Sequence, residues 1–114
     1  MKILFLNLSA LTFNVATPDT EPLGGTESCI SYLARELAIR GHNVSLVAKL
    51  PDEFSGETYK VKHQPIDVLR DTTFFASKNF DVIILCNAPM AAVSIKQITP
   101  RSTILLWNHI PPDQ

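Results

Sequence analysis

A glycine pair followed by a threonine and an acid, Gly24-Gly25-Thr26-Glu27, stands between a long polar loop and an amphipathic helix. That placement suits an anion. The first backbone amides of a helix have no partner within it and lie at the positive end of its dipole, and glycine lets a phosphate approach with no Cβ in the way. Glu27 can complement the same dipole or accept hydrogen bonds from ligand hydroxyls. The plainer alternative is a turn that only swings the chain into the helix. Against it, the connection from Ser9 to Gly25 is about three times the usual strand-to-helix loop, and loops of that length are mostly functional or disordered.

Histidine supplies the second candidate group. His109 follows the last predicted strand, behind Trp107 and ahead of the proline-stiffened Ile110-Pro111-Pro112, so it falls at the carboxyl end of a sheet. Hydrogen bonding to a ligand and burial in the core are both open to it there. His42 lies at the far end of the first helix and reads as a helix-terminal cation or hydrogen-bond donor. His63 ends a predicted edge strand and reads as a solvated loop residue. Other chemistry is poorly provided for. No G-x-S-x-G surrounds Ser9, Ser28 or Ser94, no carboxylate pair or Ser-His-Asp order presents itself, and the dinucleotide and P-loop glycine patterns are missing. Cys29 and Cys86 have neither a C-x-x-C spacing nor a nearby histidine, so both read as small core residues, and neither a metal site nor a cofactor is expected.

These groups need a frame that brings positions 24–27, 87 and 108–109 together. Met1–Leu8 and Val44–Ala48 are apolar runs of strand length; between them Ile30, Leu33, Ala34 and Leu37 recur at the spacing of one helical face, and Arg40-Gly41 closes the helix. Thr58–Lys62 alternates as an edge strand does, Asp81–Cys86 is the aliphatic run of a strand covered on both faces, and Ser102–Trp107 is a fifth strand. Leu50–Glu57 is a surface loop, and helical patterns over Pro65–Ala76 and Ala88–Ile98 fill the remaining intervals. The alternation predicts an α/β, Rossmann-like parallel sheet in the order 3-2-1-4-5 with helices on both faces. Its switch point lies between strands one and four. There the Ser9–Gly25 loop, the Asn87-Ala88-Pro89 turn and Asn108-His109 converge.

At 114 residues and 46% hydrophobic, the chain has the size of one domain, residues 1–114, with a real core. A formal charge of -1 provides no basic field for nucleic acid or anionic lipid. The N-terminal apolar run is too short to span a bilayer and lacks a small-residue cleavage site, so a cytoplasmic location is expected. A flavodoxin-like receiver is disfavoured, because Asn7, Leu8 and Ser9 supply no acid for a phosphoacceptor cluster.

Taken in order, several segments resemble the N-terminal domain of a GT-B-fold retaining glycosyltransferase of the "group 1" family, which includes sucrose- and glycogen-synthase-like enzymes. Lys2-Ile3-Leu4-Phe5 is similar to its opening strand, Gly24-Gly25-Thr26-Glu27 to its glycine loop, and Leu33 to Val44 to its helix and R-G-H-x-V turn. Asp81-Val82-Ile83-Ile84 resembles its fourth strand and Trp107-Asn108-His109 the strand end bearing its active-site histidine. The resemblance implies transfer of a hexose from a nucleotide-sugar donor to a sugar or lipid-linked acceptor, with retention of configuration and without a metal. Gly24 and Gly25 would bring amides to the donor phosphates, with Thr26, Glu27, Asn87 and Asn108 on the substrate side. His109 would hydrogen-bond the transferred sugar. In that family a second Rossmann-like domain with paired glutamates holds the donor, and nothing in residues 1–114 corresponds to it. The expectation is therefore a truncated, acceptor-side half of a GT-B fold, inactive without a donor-binding domain or subunit. Cut before its closing elements, such a sheet is also expected to form dimers or larger species. The alternative, of a different class, is a non-catalytic Rossmann-like module for a small phosphorylated ligand or a partner protein.

Overall fold

Along the first strand, β1 (Lys2–Asn7), alternation sends Ile3 and Phe5 to one face and Leu4 and Leu6 to the other, and all four are buried. A strand apolar on both faces must be covered on both, which places β1 at the centre of a two-sided sheet. The computed structural model describes residues 1–8, 12–19, 25–51, 56–70, 73–86 and 92–107. After β1 come α1 (Gly25–Ile39), β2 (Asn43–Ala48), β3 (Gly56–Thr58), β4 (Val61–Pro65), α2 (Phe74–Lys78), β5 (Val82–Cys86), α3 (Ala92–Ile98) and β6 (Thr103–Trp107). Single 3-10 turns cover Thr17–Asp19 and Ile66–Arg70. Ile30, Ala34 and Ala38 of α1 pack on Ile3, Phe5, Val44 and Leu46; Phe74, Phe75 and Ile95 of α2 and α3 pack on Leu4, Leu6, Ile83 and Leu85. A Cα radius of gyration of 13.5 Å is that of one compact α/β domain. Among the described residues no helix is long and apolar enough to cross a membrane.

The strand order departs from the expected 3-2-1-4-5. Among the described residues six strands form a mixed sheet in the order β3-β4-β2-β1-β5-β6, parallel except for the antiparallel β3–β4 pair. The stretch Thr58–Lys62, expected to be one strand, is the end of β3, a two-residue turn and the start of β4. Tyr59 and Lys60 have φ of 51° and 62°, the positive values that a tight hairpin needs at both central positions. Neither is glycine or asparagine, so the alternation runs through the turn unmarked. β3 carries the chain back down the sheet edge, and β4 can then pair parallel to β2 with no crossover helix.

A loop covers β2 and β4 on the α1 side. Phe13 and Val15 are fully buried in the α1-side core, the Phe13 N–H donates to the Lys49 carbonyl at 3.1 Å, and the Val15 N–H donates to His63 Nε2 at 3.2 Å. Residues 14–17 satisfy their own backbone: the Asn14 N–H donates to Thr17 Oγ1 at 2.9 Å and the Ala16 N–H to Asn14 Oδ1 at 2.7 Å. The length of the Ser9–Gly25 connection thus has a packing reason, in part of it at least.

Helix α1 ends as Arg40-Gly41 leads one to expect. Gly41 has φ 97°, its N–H donates to the Ala38 carbonyl, and the His42 N–H donates to the Leu37 carbonyl, which is the Schellman arrangement. The buried stripe differs in one place, since Leu33 is exposed and Ala38 is buried in its stead. The Pro65–Ala76 helix resolves into the 3-10 turn at Ile66–Arg70 and the short α2, closed by Asn79 at φ 51°. Of the Ala88–Ile98 helix, Ala92–Ile98 is α3, and 88–91 lie outside the described residues.

Candidate functional site

The carboxyl end of the sheet is built in register. Asn7 closes β1 opposite Cys86 of β5, and Cys86 lies opposite Trp107 of β6. Asn7 and Cys86 are buried, and Trp107 packs, half-buried, against the α1-side core. Helix α1 starts at this end because it follows β1 and runs back along the sheet. Gly25 and Thr26 are its first residues, and Glu27 stands half-buried in the first turn. Ser31, buried one turn on, donates its hydroxyl to the Glu27 carbonyl at 2.8 Å.

Cys86 reports the neighbourhood. Burial, and after it the negative charge of Glu27, pushes its thiol up to about 12. The thiol hydrogen is directed to the Ile84 carbonyl at 3.8 Å. A thiol so held stays protonated and is no nucleophile. Glu27 therefore lies within electrostatic reach of the end of β5. Among the described residues, no three His, Cys, Asp or Glu gather as a metal ion would need. The chemistry offered here is that of amides at a helix start for an anion, and of a carboxylate for hydroxyl groups.

Gly25, Thr26 and Glu27 are thus at the carboxyl end. Gly24, Asn87, Asn108 and His109 lie outside the described residues; β5 and β6 end immediately before Asn87 and Asn108. His42 sits at the opposite end, half-buried in the closing turn of α1, with Nδ1 3.3 Å from the Met1 amine.

Two expectations need correction. Cys29 is exposed and not a core residue. His63 is no solvated loop residue: it is buried inside β4, and Tyr59-Lys60 and β3 have moved the edge beyond it. Its Nδ1 lies 3.0 Å from the Val61 carbonyl, which can only accept, and its Nε2 meets the Val15 N–H, which can only donate. The ring is therefore the neutral Nδ1–H tautomer, and burial pushes its pKa down to about 4. The signal was in the sequence, since Val61 and His63 alternate onto one face and Val61 is a core type.

A second cluster left no local sign. Arg35 of α1 pairs with Asp19 at 3.0 Å and lies over the Tyr59 ring, 3.7 Å from its centroid, and Tyr59 donates its hydroxyl to Asp19. That hydrogen bond first, and Arg35 second, holds the Asp19 carboxyl below the usual carboxylate range. Positions 19, 35 and 59 meet only through the fold. Tyr59 precedes β4, at the end of the sheet opposite Asn7 and Cys86, so this cluster fastens loop, helix and hairpin together.

Comparison of the chain with protein-family models, with curated proteins and with solved structures found no match.

Proposed function

We propose that the chain is the N-terminal, acceptor-side part of a retaining glycosyltransferase that uses a nucleotide-sugar donor and acts together with a donor-binding domain. One observation carries this reading: the first turn of α1, with Gly25, Thr26 and Glu27, stands at the carboxyl end of the sheet beside the ends of β1 and β5. Ligands of open α/β sheets bind there. As the bond to the sugar breaks, negative charge grows on the leaving diphosphate, and amides at a helix start oppose it. Glu27 holds a sugar hydroxyl, and His109 orients the transferred sugar. One helix terminus is a weak partner for a diphosphate, so the cationic groups of a donor-binding domain complete the site. The sequence order of the segments that resemble that family, from Lys2-Ile3-Leu4-Phe5 to Trp107-Asn108-His109, is the second support, and a cytoplasmic location accompanies the reading.

The test is sugar transfer from a panel of nucleotide sugars, by the chain alone and by the chain joined to a donor-binding domain that carries paired glutamates. Turnover is expected only in the joined protein. Robust transfer by the chain alone would sink the proposal, as would none from any joined form that folds. A second reading, a non-catalytic module for a small phosphorylated ligand, draws support from the packing of Phe13 and Val15, which accounts for loop length without catalysis. Its signature is binding of a nucleoside diphosphate with no transfer in any joined form.

A further inference from the structure

Residues 12–17 reach the sheet through contacts of two kinds. Phe13 and Val15 bury their side chains in the α1-side core, although the segment is no strand of the sheet. Its backbone also bonds outward: the Phe13 N–H meets the Lys49 carbonyl just past β2, and the Val15 N–H meets His63 Nε2 in β4. The bonds among Asn14, Ala16 and Thr17 are internal and would travel with the segment.

The bond to Lys49 is indifferent to pH, and the bond to His63 is not. Nδ1 of His63 keeps its proton on the Val61 carbonyl, so Nε2 accepts from Val15 only while the ring is neutral. A second proton would sit on Nε2 and point at the Val15 N–H, donor against donor. The Val61 and Gly56 carbonyls favour a charged ring, but burial outweighs them. Beside the ring across the two ladders are Leu46 of β2 and Gly56 of β3, and α1 sends Ile30, Ala34 and Ala38 into the same core. The charged side chains of these elements are engaged or turned elsewhere. Lys62 and its partner Glu57 lie on the other face by alternation, and Lys49 and Lys60 are exposed. Asp19 pairs with Arg35, Glu36 pairs with Arg40, and Glu27 lies towards Cys86.

We propose that the contact between Val15 and His63 is a proton-operated latch: a proton on Nε2 releases residues 12–17 from β2 and β4 while the sheet stays paired. Release gives up the burial of Phe13 and Val15, so the open form is a minority. It grows in acid, because the uncovered ring regains the ordinary 6.5 while the covered ring stays near 4. Asp19 keeps its pairing with Arg35 over that range, since its carboxyl is held below the usual carboxylate range. The inference does not depend on the proposed function.

Amide hydrogen exchange of the whole chain, followed by NMR, tests the latch, with each rate divided by the intrinsic rate at the same pH to give an opening constant. The Val15 constant should rise about a hundredfold from pH 7 to pH 4 and should exceed that of Phe5, in the central strand, at both. In His63→Gln it should change little with pH. Val15 opening equal to that of Phe5 at both values overturns the latch, because the segment then leaves only with the whole fold. So does a Val15 constant that does not rise in acid, or one that rises equally in His63→Gln. If that variant does not fold, the two comparisons made on the unaltered chain decide alone.

Discussion

His63 Nε2 accepts a hydrogen bond from the backbone N–H of Val15 at 3.2 Å, joining β4 to a loop 48 residues earlier in the chain. That bond needs a neutral ring. Burial holds the folded pKa at about 4 against an ordinary 6.5, so above 6.5 the ring is neutral in both states and its contribution to stability is fully present. As pH falls from 6.5 towards 4, the unfolded chain takes up a proton that the folded chain refuses, and stability is lost. The whole loss is about 3 kcal/mol for a shift of this size. His63→Gln can still offer an acceptor to the Val15 N–H but cannot titrate. Urea melts at pH 7 and pH 4 should therefore show a loss smaller by about 3 kcal/mol in the variant. Equal losses in the two proteins would remove His63 from the account.

Phe13 tests whether residues 12–19 are a wall of the core. The side chain is fully buried against the α1-side cluster, so Phe13→Ala should cost about 3–5 kcal/mol through lost burial and the cavity left behind. Thermal melting reads this directly. An unchanged melting temperature would mean that the segment does not contribute to the core.

The hairpin turn carries avoidable strain. At Lys60, φ 62° penalises any side chain with a Cβ, and Lys60→Gly should stabilise the protein by about 0.5–1 kcal/mol, seen as a higher urea midpoint at unchanged slope. Tyr59→Gly relieves the same kind of strain at φ 51° but forfeits the contacts with Asp19 and Arg35, so it should be no more stable than the unaltered chain. A Tyr59→Gly protein as stable as the Lys60→Gly protein would mean that the cluster holds nothing.

Under the proposed function, His109→Ala in the chain joined to a donor-binding domain should lower transfer about a hundredfold, because the reacting sugar is no longer oriented. Melting should barely change. His42→Ala is the matched control: its ring sits in the closing turn of α1, at the other end of the sheet, and transfer should be retained. Normal turnover in His109→Ala removes that residue from the site, and a large fall in melting temperature assigns it to the core.

Local chemistry, read in order, was enough for part of this molecule. The aliphatic runs of β1, β2, β5 and β6 can be satisfied only inside a sheet, and Ile30, Ala34 and Leu37 only on one helical face. Arg40-Gly41 marks a helix end because glycine alone adopts that left-handed position without cost. Parallel strands then send α1 back from the carboxyl end, so the position of Gly25 and Glu27 could be deduced too. What only the tertiary structure decided involves partners far apart in sequence. The turn at Tyr59-Lys60 has positive φ at both residues, with the Tyr59 side chain on Asp19 and Arg35, and no turn residue announces it. Phe13 and Val15 become core because β3 returns the chain without a helix and leaves a face of β2 and β4 to cover. His63 is neutral because the assembled fold buries it, with the Val15 N–H on its unprotonated Nε2. Periodicity records which face a residue presents within its own element, whereas the identity of what meets that face is a property of the assembled fold.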